Sequence, residues 1–254
     1  MDITYTSLLW GFLLLVIPTY FLYHYRTGLV KDTLVAALRM TVQLFLVGFY
    51  LKYMFEWNRW WLNVLWVVVM AVVASQTIIH RTKLPLRKLI LPISVALICS
   101  VTIIDIYFMG LIVKQDNLFE ARYFISISGL ILGNMLSANV IALNTYYGAI
   151  RREHTLYLYQ LANGATGAEA RSSFMREALI KSFNPTIASM AVMGLIALPG
   201  TMTGQILGGS SPDVAIKYQI MLIISKFASS LISVLLTLVF CRKQSFDRYE
   251  MPRQ

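Results

Sequence analysis

Twelve acidic residues and two cysteines are a thin supply of acids and metal ligands for 254 residues. Charged side chains make up 13% of the chain and hydrophobic ones 57%, with a mean hydropathy of +0.65. That leaves too little polar surface to cover a soluble globule of this size. Cys99 lies inside an apolar run and Cys241 at the end of another, which excludes a disulfide framework or a metal knuckle and predicts two buried thiols. No glycine-rich phosphate loop ending in Gly-Lys-Ser or Gly-Lys-Thr is present, so any ATP must be hydrolysed on another chain. The zinc-protease and nucleophile-elbow patterns and acidic clusters with ligand spacing are missing too, which argues against an enzyme and calls for no cofactor. The net charge of +10 is scattered in short clusters between apolar runs, which speaks against nucleic acid.

What is there instead is a series of apolar runs. A helix needs about 20 apolar residues to cross the hydrocarbon of a bilayer. Seven runs qualify as candidates: 8–23, 34–55, 60–79, 89–113, 123–150, 185–204 and 215–241. The first is short and the sixth is interrupted. The first has no basic region before it and no small-residue cleavage site after it, so it reads as a retained span. Of the 22 lysines and arginines, fifteen fall in the first, third and fifth connections and the tail, and five in the alternate connections. The remaining two, Arg39 and Lys226, lie inside spans. The positive-inside rule then puts the N-terminus outside and the tail in the cytoplasm. Trp57, Trp60 and Trp61 fall at the outer ends of spans two and three, where amphipathic rings prefer to sit. The expectation is an all-α polytopic integral membrane protein of the cell membrane: one domain over 1–254, seven transmembrane helices, and a cytoplasmic helical elbow between spans five and six.

That elbow, 151–185, is the one long polar interval. Thr155 to Asn163 reads as a short helix stopped by Gly164, which can take the left-handed conformation that ends helices. Thr166 and Glu169 then have capping-box spacing, so a second helix begins almost at once and the corner is specified locally. Ala170, Phe174, Ala178 and Leu179 share one face of this second helix; Arg171, Arg176 and Lys181 are expected off it. Asn184-Pro185 opens the next apolar segment. A stiff corner in water suits docking to a soluble partner; the plainer alternative is an amphipathic loop lying on the lipid surface.

Spans five and six carry the remaining signal. Gly129, Gly133 and Ser137 recur every four residues, a small-residue stripe that lets another helix approach closely, while Asn134, Asn139 and Asn144 bring amides that need partners. In span six Leu198-Pro199-Gly200 breaks the helix, and Gly200, Gly204 and Gly208 again recur every four. Broken backbone at membrane depth is tolerated only where protein covers it or a wet cavity receives it. A translocation path is therefore placed along Asn134, Ser189, Met193, Pro199, Gly200 and Gly204, with Met190 and Met202 as further soft donors. Asp105 and Lys226 are intramembrane charges, which suggest function or a partner; their levels differ by roughly 10 Å, so they pair only if the spans tilt favourably. His24, His80 and His154 fall near span ends, where amphipathic residues gather in any case. No metal ligand set is specified.

Leu161-Ala-Asn-Gly-Ala-Thr166, Pro185-Thr186, the run from Gly194 to Gly204 and the run from Pro212 to Met221 together resemble the FetB-like permease family. The likeness extends to Arg39, Gln43, Gly48 and Tyr53 in span two and to Gly129, Gly133 and Asn134 in span five. The resemblance implies the membrane subunit of an ABC transporter, a homodimer that exports iron or another metal cation or complex and is driven by a separate cytoplasmic ATPase. Leu161, Asn163, Gly164, Ala165, Thr166 and Glu169 would form its coupling element. One departure stands out: where that family carries an aspartate and a lysine after the Pro-Thr of span six, this chain has Ala188-Ser-Met-Ala191. Two other readings remain, an ATP-independent secondary carrier and a scaffold that recruits a soluble protein. The first needs several intramembrane carboxylates where only Asp105 is visible; the second has no use for a broken, glycine-lined span.

Overall fold

A computed structural model describes residues 5–113, 117–247 and 250–251. Lys114, Arg248 and Arg253, counted above among the topology signals, lie outside the described residues. The chain divides into two units, Met1–Trp57 and Asn58–Gln254. In the first, α1 (Tyr5–Leu13) and α2 (Val16–His24) are separated by a turn at Leu14-Leu15, and α3 (Val30–Trp57) follows. The first expected span is thus two nine-residue helices, too short singly to cross hydrocarbon.

The second unit holds α4 (Trp60–Thr82), α5 (Leu86–Tyr107), continued by a π-helical stretch Phe108–Val113, and α6 (Ala121–Arg152). Then come α7 (His154–Ala162), α8 (Gly167–Val192), α9 (Gly200–Leu207) and α10 (Pro212–Ser245). Among the described residues five helical segments are long and apolar enough to span a membrane: Val30–Trp57, Trp60–Thr82, Lys88–Val113, Ala121–Arg152 and Pro212–Ser245. The sixth expected span is differently built. Pro185 does not open a new helix; it lies inside α8, which runs unbroken from the elbow to Val192. Only its C-terminal turns, from Pro185, and the short α9 carry the apolar sequence.

In this unit α6 packs against α4, α8 and α10, and α10 lies against α5 as well. The seams are lined by small and branched residues: Ala71 and Ile78 of α4, Ile93 and Leu97 of α5, Ile131, Ala138 and Ala142 of α6, and Val234 of α10, all buried. Lipid tails are as apolar as these side chains, so close van der Waals fit and hydrogen bonds between helices hold the bundle, with no hydrophobic drive between helices to help. Hydrogen bonds tie α4 to its neighbours. Ser75 and Ser94 hydroxyls meet at 2.7 Å between α4 and α5, and Asn63 donates to the Phe119 carbonyl at 2.8 Å. Cys241 is buried as expected, whereas Cys99 is exposed on the surface of α5.

Candidate functional site

The corner between α7 and α8 is built by its own sequence. Gly164 has φ +88°, a conformation in which any Cβ is strained, and its N–H bonds back to the Leu161 carbonyl at 3.0 Å. Two residues later Thr166 caps α8: its hydroxyl accepts from the Glu169 N–H, while the Glu169 carboxylate accepts the Thr166 N–H at 2.7 Å. Those Thr166 donors hold the Glu169 carboxyl below the usual carboxylate range. Asn163, Gly164, Thr166 and Glu169 are exposed, and Leu161 and Ala165 are half-buried.

Beneath the corner lies an arrangement the sequence reading missed. Ala170, Phe174 and Ala178 do face inward, but Arg171, expected off that face, is buried with them at 5% exposure. It is drawn in by Glu250 of the tail, whose carboxylate lies 2.5 Å from the Arg171 guanidinium and also pairs with Arg242 at the end of α10. The Tyr157 hydroxyl donates to the Glu250 carbonyl at 2.6 Å, and the Arg171 guanidinium stacks over the Phe246 ring at 4.7 Å. Burial pushes the Glu250 carboxyl up, but the guanidiniums of Arg171 and Arg242 outweigh it and hold the group below its ordinary value of 4.5. A depressed carboxylate stabilises the fold fully above its ordinary value and loses that contribution as pH falls through the depressed one. Amide protection across the α7–α8 corner should therefore be the same at pH 7 and pH 6 and collapse only in acid below the ordinary carboxylate range; hydrogen exchange against pH measures this.

The other expected site is the interruption after α8. The helix ends at Val192, several residues before Leu198-Pro199-Gly200, because Gly194 turns the chain at φ +87°. The Gly194 N–H bonds to the Ala197 carbonyl, those of Leu195 and Ile196 return to Val192, and Pro199 starts α9. Among the described residues no hydrogen bond reaches the carbonyls of Gly194, Leu195 or Ile196. Between this turn, α9 and α10 is a cavity of about 510 Å³ whose lining includes Met190, Met193, Pro199, Met202, Gln219 and Ile220. The amide in its lining, that of buried Gln219, accepts the Thr201 hydroxyl at 2.5 Å. The structure thus gathers three methionines at the interruption. It leaves four members of the expected path out of the cavity lining: Gly200 and Gly204, Ser189, which is exposed and donates to the Pro185 carbonyl, and Asn134, which donates to Ser230 on α10 at 3.1 Å.

That last bond belongs to a polar seam between α6 and α10. Asn139 donates to Ser233 at 2.7 Å, and Ser225, Ser229 and Thr237 are buried along the same face. The signal was in the sequence, since Ser225, Ser229, Ser233 and Thr237 recur every four residues. Asp105 and Lys226 do not pair. Asp105, 2% exposed, receives the Ser128 hydroxyl at 2.5 Å, and half-buried Lys226 makes no ion pair among the described residues. Within the chain the α6 small-residue stripe is mostly uncovered: Gly133 and Ser137 are exposed, and a Cβ at Gly133, Gly200 or Gly204 would meet nothing within 4 Å. Gly208 instead closes the end of α9. Among the described residues no three His, Cys, Asp or Glu gather to hold a metal.

The uncharacterised protein family UPF0014 matches residues 5–246. The UPF0014 membrane protein YjkA of Bacillus subtilis is 27% identical over 98% of both chains. The protein ALUMINUM SENSITIVE 3 of Arabidopsis thaliana is 28% identical over 89% of this chain and 81% of its own. The probable iron export permease protein FetB of Escherichia coli is 28% identical over 92% and 89%. No solved structure matches the chain.

Proposed function

The chain belongs to the UPF0014 family of multi-pass membrane proteins, and from that membership we propose that it is the permease subunit of an ATP-driven exporter of metal cations or metal complexes, iron foremost. The observation that carries the reading is the helix α8. It starts at an exposed, locally fixed corner and ends at a chain interruption beside a cavity, so one element joins a docking point to a candidate path. The corner, set in the cytoplasm by the distribution of basic residues, receives the separate ATPase through Leu161, Asn163, Gly164, Ala165, Thr166 and Glu169. A relative named as a probable iron export permease supports the cargo. Two copies assemble, and the open Gly133 and Ser137 positions of α6 offer a surface on which helices can approach closely. Seven crossings, counting the α1–α2 pair and the interrupted α8–α9 segment, return the tail to the cytoplasmic side.

Cargo in the cavity meets the thioethers of Met190, Met193 and Met202 and the Gln219 amide. Neutral ligands of this kind hold a cation weakly, as conduction requires. Affinity purification of the tagged protein with and without ATP, followed by metal accumulation in a deletion strain, tests the reading: a co-purifying ATPase and metal excess in the deletion support it, and absence of both refutes it. Met193→Leu keeps the volume and removes the sulfur. Export of a soft metal should fall several-fold in that variant while a hard cation is unaffected; equal export of both would remove Met193 from the ligand set.

A further inference from the structure

We propose that the C-terminal tail is a working part of the coupling element, and that Glu250 positions the α7–α8 corner for the ATPase by bridging Arg171 of α8 to Arg242 of α10. The inference rests on the reading of the corner as the docking point. Its basis is a set of contacts that converge on one carboxylate. One Glu250 oxygen takes the buried Arg171 guanidinium and the other takes Arg242, so two helices are tied through a single side chain. The backbone is tied as well, through the Tyr157 hydroxyl on the Glu250 carbonyl, and Tyr157 is a wholly buried residue of α7. Every element of the corner, α7, α8 and the end of α10, is therefore held by the tail.

The surroundings are shaped to receive it. Gly167, the first residue of α8, leaves the space that the Glu250 side chain fills: a Cβ there would lie 2.5 Å from the carboxyl carbon. Phe246 forms a floor under Arg171 and packs near Tyr157 at 6.2 Å between ring centres. Glu250 itself is held at φ +60°, a left-handed backbone that a glutamate adopts only when its neighbours require it. Its N–H bonds to the Asp247 carbonyl, and the Met251 N–H bonds to the Asp247 carboxylate. An exposed ion pair is worth little, but here one partner is buried, and losing the carboxylate leaves Arg171 uncompensated. The guanidinium would then seek water, and α8 would turn about its axis at the corner it caps.

The test uses the full-length protein in lipid nanodiscs with its co-purified ATPase, comparing wild type, Glu250→Gln, Gly167→Val and the double variant Arg171→Gln with Glu250→Gln. Hydrogen exchange is read at 161–166 and, as a reference, in α6. Both single variants should raise exchange at the corner at least ten-fold, leave α6 unchanged and weaken ATPase binding about ten-fold. The double variant, which leaves no buried charge unpaired, should recover part of the loss. Unchanged corner exchange in Glu250→Gln overturns the proposal. So does an equal rise in α6, which would mean general support of the bundle, or a loosened corner with undiminished ATPase binding. If wild type itself holds no ATPase, the docking reading fails, while the exchange arm still decides whether the tail fixes the corner.

Discussion

Gly164→Val should leave the protein inserted in the membrane and strip it of its ATPase. At φ +88° valine carries a penalty of about 1 to 3 kcal/mol, and nothing next to the residue can relax to absorb it, because the Gly164 and Ala165 N–H groups are already committed to carbonyls of α7. A Cβ at this position meets nothing within 4 Å, so the cost is in the backbone and no core residue is displaced. The chain escapes the strain by opening the turn, which re-aims α7 relative to the capped start of α8. If the whole penalty falls on docking, affinity for the ATPase drops by roughly five- to 150-fold, since about 1.4 kcal/mol is a factor of ten. Surface expression and ATPase co-purification measured on the same preparations decide the matter. A well-expressed variant with normal ATPase stimulation would remove the corner from coupling.

The complementary result is expected at the other end of α8. Gly194→Ala, Pro199→Ala and Gly200→Ala together remove the residues that stop the helix. On helix propensity each glycine accounts for about 1 kcal/mol and the proline for about 3, so the segment shifts by roughly 5 kcal/mol toward a continuous helix. A shift of that size takes an equilibrium from nearly all interrupted to nearly all straight. Straightening would close off the open carbonyls of Gly194, Leu195 and Ile196 within the helix ladder and carry Met202 away from Met190 and Met193. Metal export should fall below detection while ATPase association stays intact, the reverse of the Gly164→Val phenotype. Wild-type export from the triple variant, measured in loaded vesicles, would place the path elsewhere in the fold.

Features whose causes are local were legible in the sequence. The corner needed only a glycine, a threonine and a glutamate within six residues, and its capping box is present as spacing implied. The interruption was legible as a fact but not in extent: Pro199 and Gly200 mark a break in the sequence, while Gly194, free to turn at positive φ, ends α8 first. Arg171 was misread because its position on the helix wheel is polar by residue type, and the partner that brings it inward lies 79 residues away. The same distance problem hid the α6–α10 seam. The asparagines of α6 advertised their need for partners, but matching Asn139 to Ser233 required knowing that the two helices lie together. Asp105 and Lys226 stand out in the sequence as charges, but the Ser128 hydroxyl, not the opposite charge, meets one oxygen of the Asp105 carboxylate.

Because α8 is a single helix of 26 residues, about 39 Å long, it also fixes an angular phase. The face it shows at the corner and the face it shows at the methionine cavity are locked together like two keyways cut in one shaft. Each residue of helix turns that shaft by about 100°. One residue inserted between Ser182 and Val192 would leave both ends locally intact yet swing Met193 about a third of a revolution out of alignment with Thr166, and seven inserted residues would return it to within about 20°. Sequence length in this segment is thereby constrained by rotation as well as by reach.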